Sequence, residues 1–157
     1  MTGQLPGQEE EVQCVVIPLT QHSLLLPNVC VAEILPWRRI KPVPDAPAWL
    51  VGVLGWRGEM LPVVDFDALC SNAATQDGQA RCLIVMNRSA SSRGAGFYAL
   101  LANGLPRLVP VAAEDLENAG DSAVSYESLT VQLGTEQVTI PDLKQIEQAV
   151  QKFGFSG

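Results

Sequence analysis

The sequence predicts a mainly β protein whose chain closes on one amphipathic helix. Short apolar runs rich in β-branched residues recur along its 157 residues, and polar segments containing glycine or proline separate them. Strands do not alternate with long helical patterns, which disfavours a parallel doubly wound sheet. Helical spacing of apolar residues appears near the C-terminus, at Leu143, Ile146, Ala149 and Val150. These features favour a barrel or a sandwich built from many short strands.

The first half of the chain alternates predicted strands with turns. A polar turn at 20–23 follows the first strand. Residues 28–35 fit a helical turn followed by a strand, and the prolines between residues 36 and 47 predict an extended, irregular segment. A turn at 56–58 joins the last pair of strands, with Gly58 free to adopt a positive φ. The strands are expected at 12–19, 24–26, 49–56 and 60–66.

The second half, after a polar loop at 71–80, has a comparable pattern. A segment rich in serine, glycine and arginine at 87–96 predicts a hairpin loop, and residues 134–136 predict a second hairpin. Pro141 and Asp142 are both favourable residues for starting the final helix. The strands are expected at 81–86, 97–101, 107–111, 130–133 and 137–140.

Composition and length restrict the class of protein. Hydrophobic residues make up 47% of the chain and charged residues 17%, which is typical of a globular domain. We place that domain at 12–152, between a flexible tail at 1–11 and a short tail at 153–157. The first tail lacks the basic start and apolar run of a signal peptide, and the longest apolar stretch, 97–113, is interrupted by prolines. The sequence therefore predicts a cytoplasmic protein without direct membrane insertion.

The net charge of −7 disfavours nucleic acid as a partner, because an acidic chain repels phosphate backbones. Arg38, Arg39 and Lys41 form a dense basic cluster, but it is short for a nucleic-acid site. The four cysteines contain no CxxC pair, and the chain has a single histidine, so few ligands are available for zinc. We therefore expect free thiols and no metal or other cofactor.

A motif in the first half resembles the central motif of CheW-like chemotaxis coupling domains. It lies within 42–66, and its matching residues occur in order at fixed spacing. The segment Val31-Ala32-Glu33-Ile34 and the segment 138–143 also resemble parts of that family's pattern. The second half departs from it, because no acid follows the strand at 97–101. The matching residues of the central motif are Pro44, Pro47, Gly52, Val53, Arg57, Gly58, Pro62, Asp65 and Phe66.

This resemblance implies two small, intertwined five-stranded β-barrels that share a core, with short helices including a C-terminal one. It implies an adaptor without catalytic activity that couples chemoreceptors to a histidine kinase. The expected partners are the regulatory domain of a CheA-like kinase and the cytoplasmic tip of a methyl-accepting receptor. The output stays open between chemotaxis and another chemosensory array, such as one that controls twitching motility through type IV pili.

The expected partner-binding residues are Arg57, Gly58, Trp56, Glu33 and Val31. An arginine on a turn presents a fork of donors to a carboxylate or a carbonyl, although most turn arginines are only solvated. Trp56 is the expected exposed anchor, because tryptophan is enriched in binding hot spots. Glu33 is equally compatible with a partner contact and with the outward position of a half-buried strand. Val31 belongs to the same segment of the family resemblance.

An alternative hypothesis is a small cysteine hydrolase that uses Cys30 or Cys70 with His22. Such an enzyme needs a base within hydrogen-bond reach of the thiol. The sequence places His22 in a predicted hairpin turn, where a solvated imidazole is the simpler expectation. Asp65 and Asp67 are expected to have capping or turn roles.

Overall fold

The computed structural model describes residues 11–71, 81–87, 97–112, 120–121, 127–133 and 135–152. The predicted tails lie outside these ranges, except that Glu11 already belongs to the first strand. Most of the loops predicted at 71–80 and 87–96 also lie outside them. Neither α-helix within the described ranges has the length and apolar character that a membrane crossing requires.

Short strands dominate the described chain. Three helical segments accompany them: a 3-10 turn at Asn28–Cys30, helix α1 at Phe66–Ser71 and helix α2 at Leu143–Lys152. The strands are β1 (Glu11–Pro18), β2 (Ser23–Pro27), β3 (Val31–Pro36), β4 (Leu50–Trp56), β5 (Glu59–Val64), β6 (Cys82–Met86), β7 (Tyr98–Ala102), β8 (Arg107–Ala112), β9 (Gly120–Asp121), β10 (Glu127–Leu133) and β11 (Glu136–Pro141).

These strands form two intertwined sheets, which confirms the predicted fold class. The first sheet has the order β8-β1-β2-β11-β10-β9, and the second has the order β3-β6-β7-β5-β4. The chain therefore starts the first sheet, builds the whole second sheet, and then returns to finish the first. The first sheet has six strands where five were expected, because the two-residue strand β9 lies at its edge.

Two parallel pairings join strands that are distant in sequence. Strand β2 pairs with β11, where Leu24 is opposite Thr139, and β5 pairs with β7, where Val63 is opposite Ala99. The other strand pairs in both sheets are antiparallel. The β2–β11 pair places the N-terminal and C-terminal parts of the chain side by side in the first sheet.

The core lies in three apolar clusters, and strand β1 contributes to two of them. Val15 and Ile17 face the cluster between the sheets, while Cys14 and Val16 face the cluster on the other side of the first sheet. All four side chains are at most 2% exposed. Because both faces of β1 are buried, its sequence is a continuous apolar run rather than an alternating one.

Strand β6 has the corresponding role in the second sheet. Ile84 and Met86 face the cluster between the sheets, and Leu83 and Val85 face the cluster inside the second sheet. Full burial of such a side chain contributes roughly 1.5–3 kcal/mol. The cluster between the sheets also receives side chains from α1 and α2, so it is the core that the two halves share.

Helix α1 was not predicted. The sequence predicted a strand that ends at Phe66 and a loop that begins at Ser71, whereas Phe66–Ser71 is helical. Asp65 caps this helix, since its Oδ1 accepts a hydrogen bond of 3.2 Å from the amide of Ala68. Six residues are too few to show a helical period in the sequence.

At two other places the structure decides or corrects the sequence prediction. Residues 28–35 combine both expected elements, a 3-10 turn and then β3. Pro141 ends strand β11 instead of starting the helix, and Asp142 caps α2 by accepting a 3.2 Å bond from the amide of Gln145.

His22 is not the solvated turn residue that the sequence predicted. Its Nδ1 lies 2.5 Å from Oδ1 of Asp67, whose side chain is 5% exposed. The other oxygen of Asp67 accepts a 3.0 Å hydrogen bond from the amide of Gln21. The imidazole also packs edge-on against Phe66. These contacts connect the β1–β2 turn of the first sheet to α1, which follows the last strand of the β4–β5 hairpin.

Tyr98 is buried between the sheets without a hydrogen-bond partner for its hydroxyl among the described residues. Its side chain is 2% exposed. Burial, and secondarily the nearby Glu147 and Cys30, raise the pKa of the Tyr98 phenol far above its usual range. The phenol therefore keeps its proton in the folded protein under conditions that ionise it in the unfolded chain.

We expect the Tyr98→Phe variant to lose less unfolding free energy at alkaline pH than the wild type does. The unfolded chain releases this proton near pH ~10, so the free energy of unfolding falls by about 1.4 kcal/mol for each pH unit above that value. Denaturant titrations from neutral to strongly alkaline pH measure this slope. At neutral pH the substitution should be nearly neutral or stabilising, because the lost hydroxyl has no hydrogen-bond partner among the described residues. Identical slopes for both proteins would contradict this account.

Candidate functional site

The turn between β4 and β5 presents Arg57 and Gly58 at the end of a hairpin. Trp56 and Glu59 pair across the hairpin, and the two residues between them have φ values of 47° and 79°. These positive values are those of a type I′ turn, which matches the twist of the flanking strands. Glycine adopts such a φ readily, and arginine does so rarely. The hairpin geometry therefore imposes an uncommon backbone conformation on Arg57.

A carboxylate from a third strand fixes the direction of the Arg57 side chain. Oε1 of Glu33, on β3, accepts a 3.2 Å hydrogen bond from Nη2 of Arg57. The same oxygen accepts a 2.9 Å bond from Nε1 of Trp56. The Arg57 guanidinium carbon lies 4.7 Å from the centroid of the Trp56 ring, which is a cation–π distance. We call Glu33, Trp56 and Arg57 the arginine cluster.

The arginine cluster joins the two edge strands of the second sheet. Strands β3 and β4 stand at opposite ends of the order β3-β6-β7-β5-β4, and the hydrogen bond from Trp56 to Glu33 spans the gap between them. A register shift between Val31 and Glu33 inserts one extra residue into β3. Such bulges redirect side chains locally. The position of Glu33 therefore depends on the closure of this sheet.

The arrangement holds a guanidinium in a defined place while leaving it accessible. The Arg57 side chain is 69% exposed although it contacts both Glu33 and the indole ring. A guanidinium has five donors, so a single bond to Glu33 leaves others for a carboxylate or carbonyl of a partner. Restricting the side chain before binding reduces the entropy lost on binding. The cluster is suited to recognition rather than to proton transfer.

The structure agrees with the expected exposure of Arg57 and corrects the expected exposure of Trp56. Arg57 is exposed on a turn, as predicted. Trp56 is 6% exposed, so the prediction of an exposed tryptophan there is wrong. Its ring points into the second sheet and packs edge-on against Phe97 at 4.9 Å between centroids. Trp37, at 49% exposure, is an accessible tryptophan. Val31 is half-buried and packs against the core between the sheets.

The sequence did not predict the contacts that organise this cluster. Glu33 and Arg57 are 24 residues apart, and their pairing depends on how the second sheet closes. The opposite charges of two motif residues were the available signal, but the sequence contains many such pairs.

The alternative cysteine hydrolase receives no support from the surroundings of His22. A groove of about 390 Å³ lies beside it, and neither Cys30 nor Cys70 lines that groove. Its lining consists of Leu19, Thr20, Gln21, His22, Ser23, Thr130, Gln137 and Thr139. The imidazole is held by Asp67, as in many hydrolases, but a nucleophilic thiol is missing from the groove lining.

The thiols of the core are also unsuited to nucleophilic attack. Burial raises the pKa of the Cys30 thiol, and the nearby Glu147 raises it further. Burial likewise raises the pKa of Cys14 and Cys82. A nucleophilic cysteine needs the opposite shift, toward the thiolate.

In the described part of the chain, no group of three or more histidine, cysteine, aspartate or glutamate side chains is arranged to hold a metal ion.

Comparisons with known proteins agree on one family. The family model for the CheW-like domain matches residues 13–151. The chemotaxis protein CheW of Rhizobium meliloti (strain 1021) is 32% identical over 99 residues, which is 63% of this chain. The matched part spans 61% of the length of that relative.

A solved structure has the same fold. The crystal structure of the scaffolding protein TtCheW from Thermoanaerobacter tengcongensis superposes with a TM-score of 0.69. The match covers 89% of this chain and 90% of that one. At 14% sequence identity, this likeness concerns the fold alone.

We expect Glu33→Ala to destabilise the protein more than Glu33→Gln does. The alanine variant leaves the buried indole N–H of Trp56 without its acceptor, and an unpaired donor costs about 1–3 kcal/mol. Glutamine keeps an amide oxygen at the same place and removes only the charge, whose exposed ion pair contributes about 0.5 kcal/mol. Denaturant unfolding of both variants measures the difference. Equal losses of stability would show that the indole hydrogen bond contributes little.

Proposed function

The chain belongs to the CheW-like domain family, and on that premise we propose that it is a non-enzymatic adaptor of a chemotaxis-type signalling array. It couples the cytoplasmic tip of a chemoreceptor to the regulatory domain of a CheA-like histidine kinase. The family match over 13–151 supports this role, as does the relative from Rhizobium meliloti, which is a chemotaxis protein. The solved relative from Thermoanaerobacter tengcongensis is a scaffolding protein, which is the same kind of role.

The arginine cluster is the observation that carries the proposal. An adaptor acts through geometry, so its contacts must keep a fixed position while its partners change conformation. Glu33 and Trp56 hold the Arg57 guanidinium, and 69% of the Arg57 side chain stays open to solvent. Since Glu33 lies on one edge of the second sheet and Trp56 on the other, strain applied by a partner at Arg57 reaches both edges.

The identity of the output depends on which receptor and kinase the chain serves. An array that drives a flagellar motor and one that controls type IV pili can use the same adaptor fold. We therefore propose the coupling role for this chain and treat twitching motility as one of its possible outputs. Identification of the kinase bound in the native host distinguishes these systems.

We expect Arg57→Ala to weaken partner binding without unfolding the protein. An exposed arginine contributes about 0.5 kcal/mol to stability. At the centre of an interface, loss of an arginine can cost about 2 kcal/mol or more, which is roughly a thirtyfold loss of affinity. Thermal melts and titrations with a receptor-tip fragment and a kinase regulatory domain, on the same samples, measure both quantities.

Arg107→Ala is the matched control for this experiment. Arg107 is also an exposed arginine in an ion pair, with Glu136, but it lies on β8 of the first sheet. It should lose a similar small amount of stability and keep its affinity for both partners. Unchanged binding by Arg57→Ala would show that Arg57 is only a solvated turn residue and not a partner contact. A strongly destabilised variant that still binds when folded would assign it a structural role.

A further inference from the structure

A second exposed surface lies along the outer edge of β4, beside the arginine cluster. After β3 ends at Pro36, the chain crosses to β4, where Lys41 pairs with Val53 in an isolated antiparallel bridge. Arg38 reaches β4 as well, since its Nη1 lies 3.4 Å from the carbonyl oxygen of Gly55. We call the exposed residues of this crossing, Trp37, Arg38, Arg39 and Lys41, the basic strip.

The backbone of the basic strip is firmly anchored. Lys41 and Val53 exchange two hydrogen bonds, of 3.0 and 2.8 Å. Ile40, between the exposed cations, packs against the core inside the second sheet. Gly52 permits this close approach, because a methyl group there would lie 2.7 Å from Cγ2 of Ile40 and 2.8 Å from the carbonyl carbon of Lys41. Lys41 and Ile40 therefore anchor one end of the strip to β4 and to the core inside the second sheet.

The strip concentrates positive charge on an acidic protein. The chain has 10 lysine and arginine residues and a net charge of −7, yet three of the cations stand within four consecutive positions. Arg38, Arg39 and Lys41 are all exposed. Among the residues that the structure describes, none of the three takes part in an ion pair. Their charges are therefore available to an external anion.

Apolar surface adjoins these charges. The side chain of Trp37 is 49% exposed, and that of Met60 is 48% exposed. Met60 pairs with Gly55, and its sulfur would lie 3.8 Å from a methyl group at that glycine. Arg38 contacts the carbonyl oxygen of the same glycine, so Arg38 and Met60 both lie at Gly55. Aromatic and methionine side chains beside arginine are characteristic of protein interfaces.

We propose that the basic strip docks an acidic segment of a partner protein that also carries apolar side chains. Carboxylates of the segment pair with Arg38, Arg39 and Lys41, and an apolar side chain packs on Trp37 or Met60. A protein segment fits better than nucleic acid for two reasons. The net charge of −7 repels a phosphate backbone, and three cations are few for a nucleic-acid site. The contact is additional to Arg57, and it does not depend on which receptor or kinase the chain serves.

Charge reversal on the full-length chain tests this proposal. The probe is a fluorescein-labelled peptide of glutamates with interspersed leucines, titrated by fluorescence anisotropy into wild type, the double variant Arg39→Glu/Lys41→Glu, and the control Lys144→Glu/Lys152→Glu. Lys144 and Lys152 are exposed on α2, so the control has the same net charge as the test variant. We expect the test variant to bind at least about tenfold more weakly and the control to bind like wild type.

A reversed probe, with lysine in place of glutamate, completes the test. It should bind the Arg39→Glu/Lys41→Glu variant better than it binds wild type. Trp37→Ala should weaken binding of the glutamate peptide in about 1 M salt, where the Debye length is about 3 Å and charge contributes little. Thermal melts should show that all variants are folded, since every substituted side chain is exposed.

Three outcomes would overturn the proposal. The first is equal loss of affinity in the test and control variants, which indicates a response to net charge alone. The second is a short DNA duplex that binds through the strip more tightly than the peptide, which assigns the strip to phosphate. The third is a concentration-dependent dimer of wild type that the Arg39→Glu/Lys41→Glu change dissociates, which assigns the strip to a second copy of the chain.

Discussion

Strands β1 and β6 each bury both of their faces, and the two sheets are held in place by that requirement. A strand with one solvent-exposed face could shift its register or pair with another strand. Each of these two strands must instead lie between two apolar clusters at once. The shared cluster between the sheets couples the halves, because α1 and α2 pack into it as well. Removing either strand would open two cores together, so the halves are not independent domains.

The arginine cluster depends on this packing. Glu33 reaches Trp56 because β3 and β4 curve toward each other around the core inside the second sheet. That core contains Trp56 itself, so the ring that supports the Arg57 guanidinium is also a core residue. Trp56 therefore contributes both to the stability of the fold and to the position of the Arg57 guanidinium. The exposed surface consists of a two-residue turn and the well-packed strands that hold it.

The sequence predicted the fold class and most strands because strands buried on two faces are apolar runs, which stand out against polar turns. It did not predict α1, whose six residues are too short for a helical period, or the contact of half-buried His22 with Asp67. It named Arg57 correctly as an exposed turn residue but misjudged Trp56. Exposure of a tryptophan depends on which side of a closed sheet it faces, and contacts between residues far apart leave no local pattern.

The parallel pairing of β2 with β11 has a consequence for the order in which the chain folds. Leu24 is opposite Thr139, so more than a hundred residues must be made before the first sheet can close. The second sheet lies wholly between these strands and its pairings are complete earlier in the chain. During synthesis β3 to β7 can therefore assemble first, while the apolar side chains of the β1–β2 hairpin are still exposed to solvent. Such long-range strand pairing slows folding and makes the β1–β2 hairpin the segment most prone to aggregation.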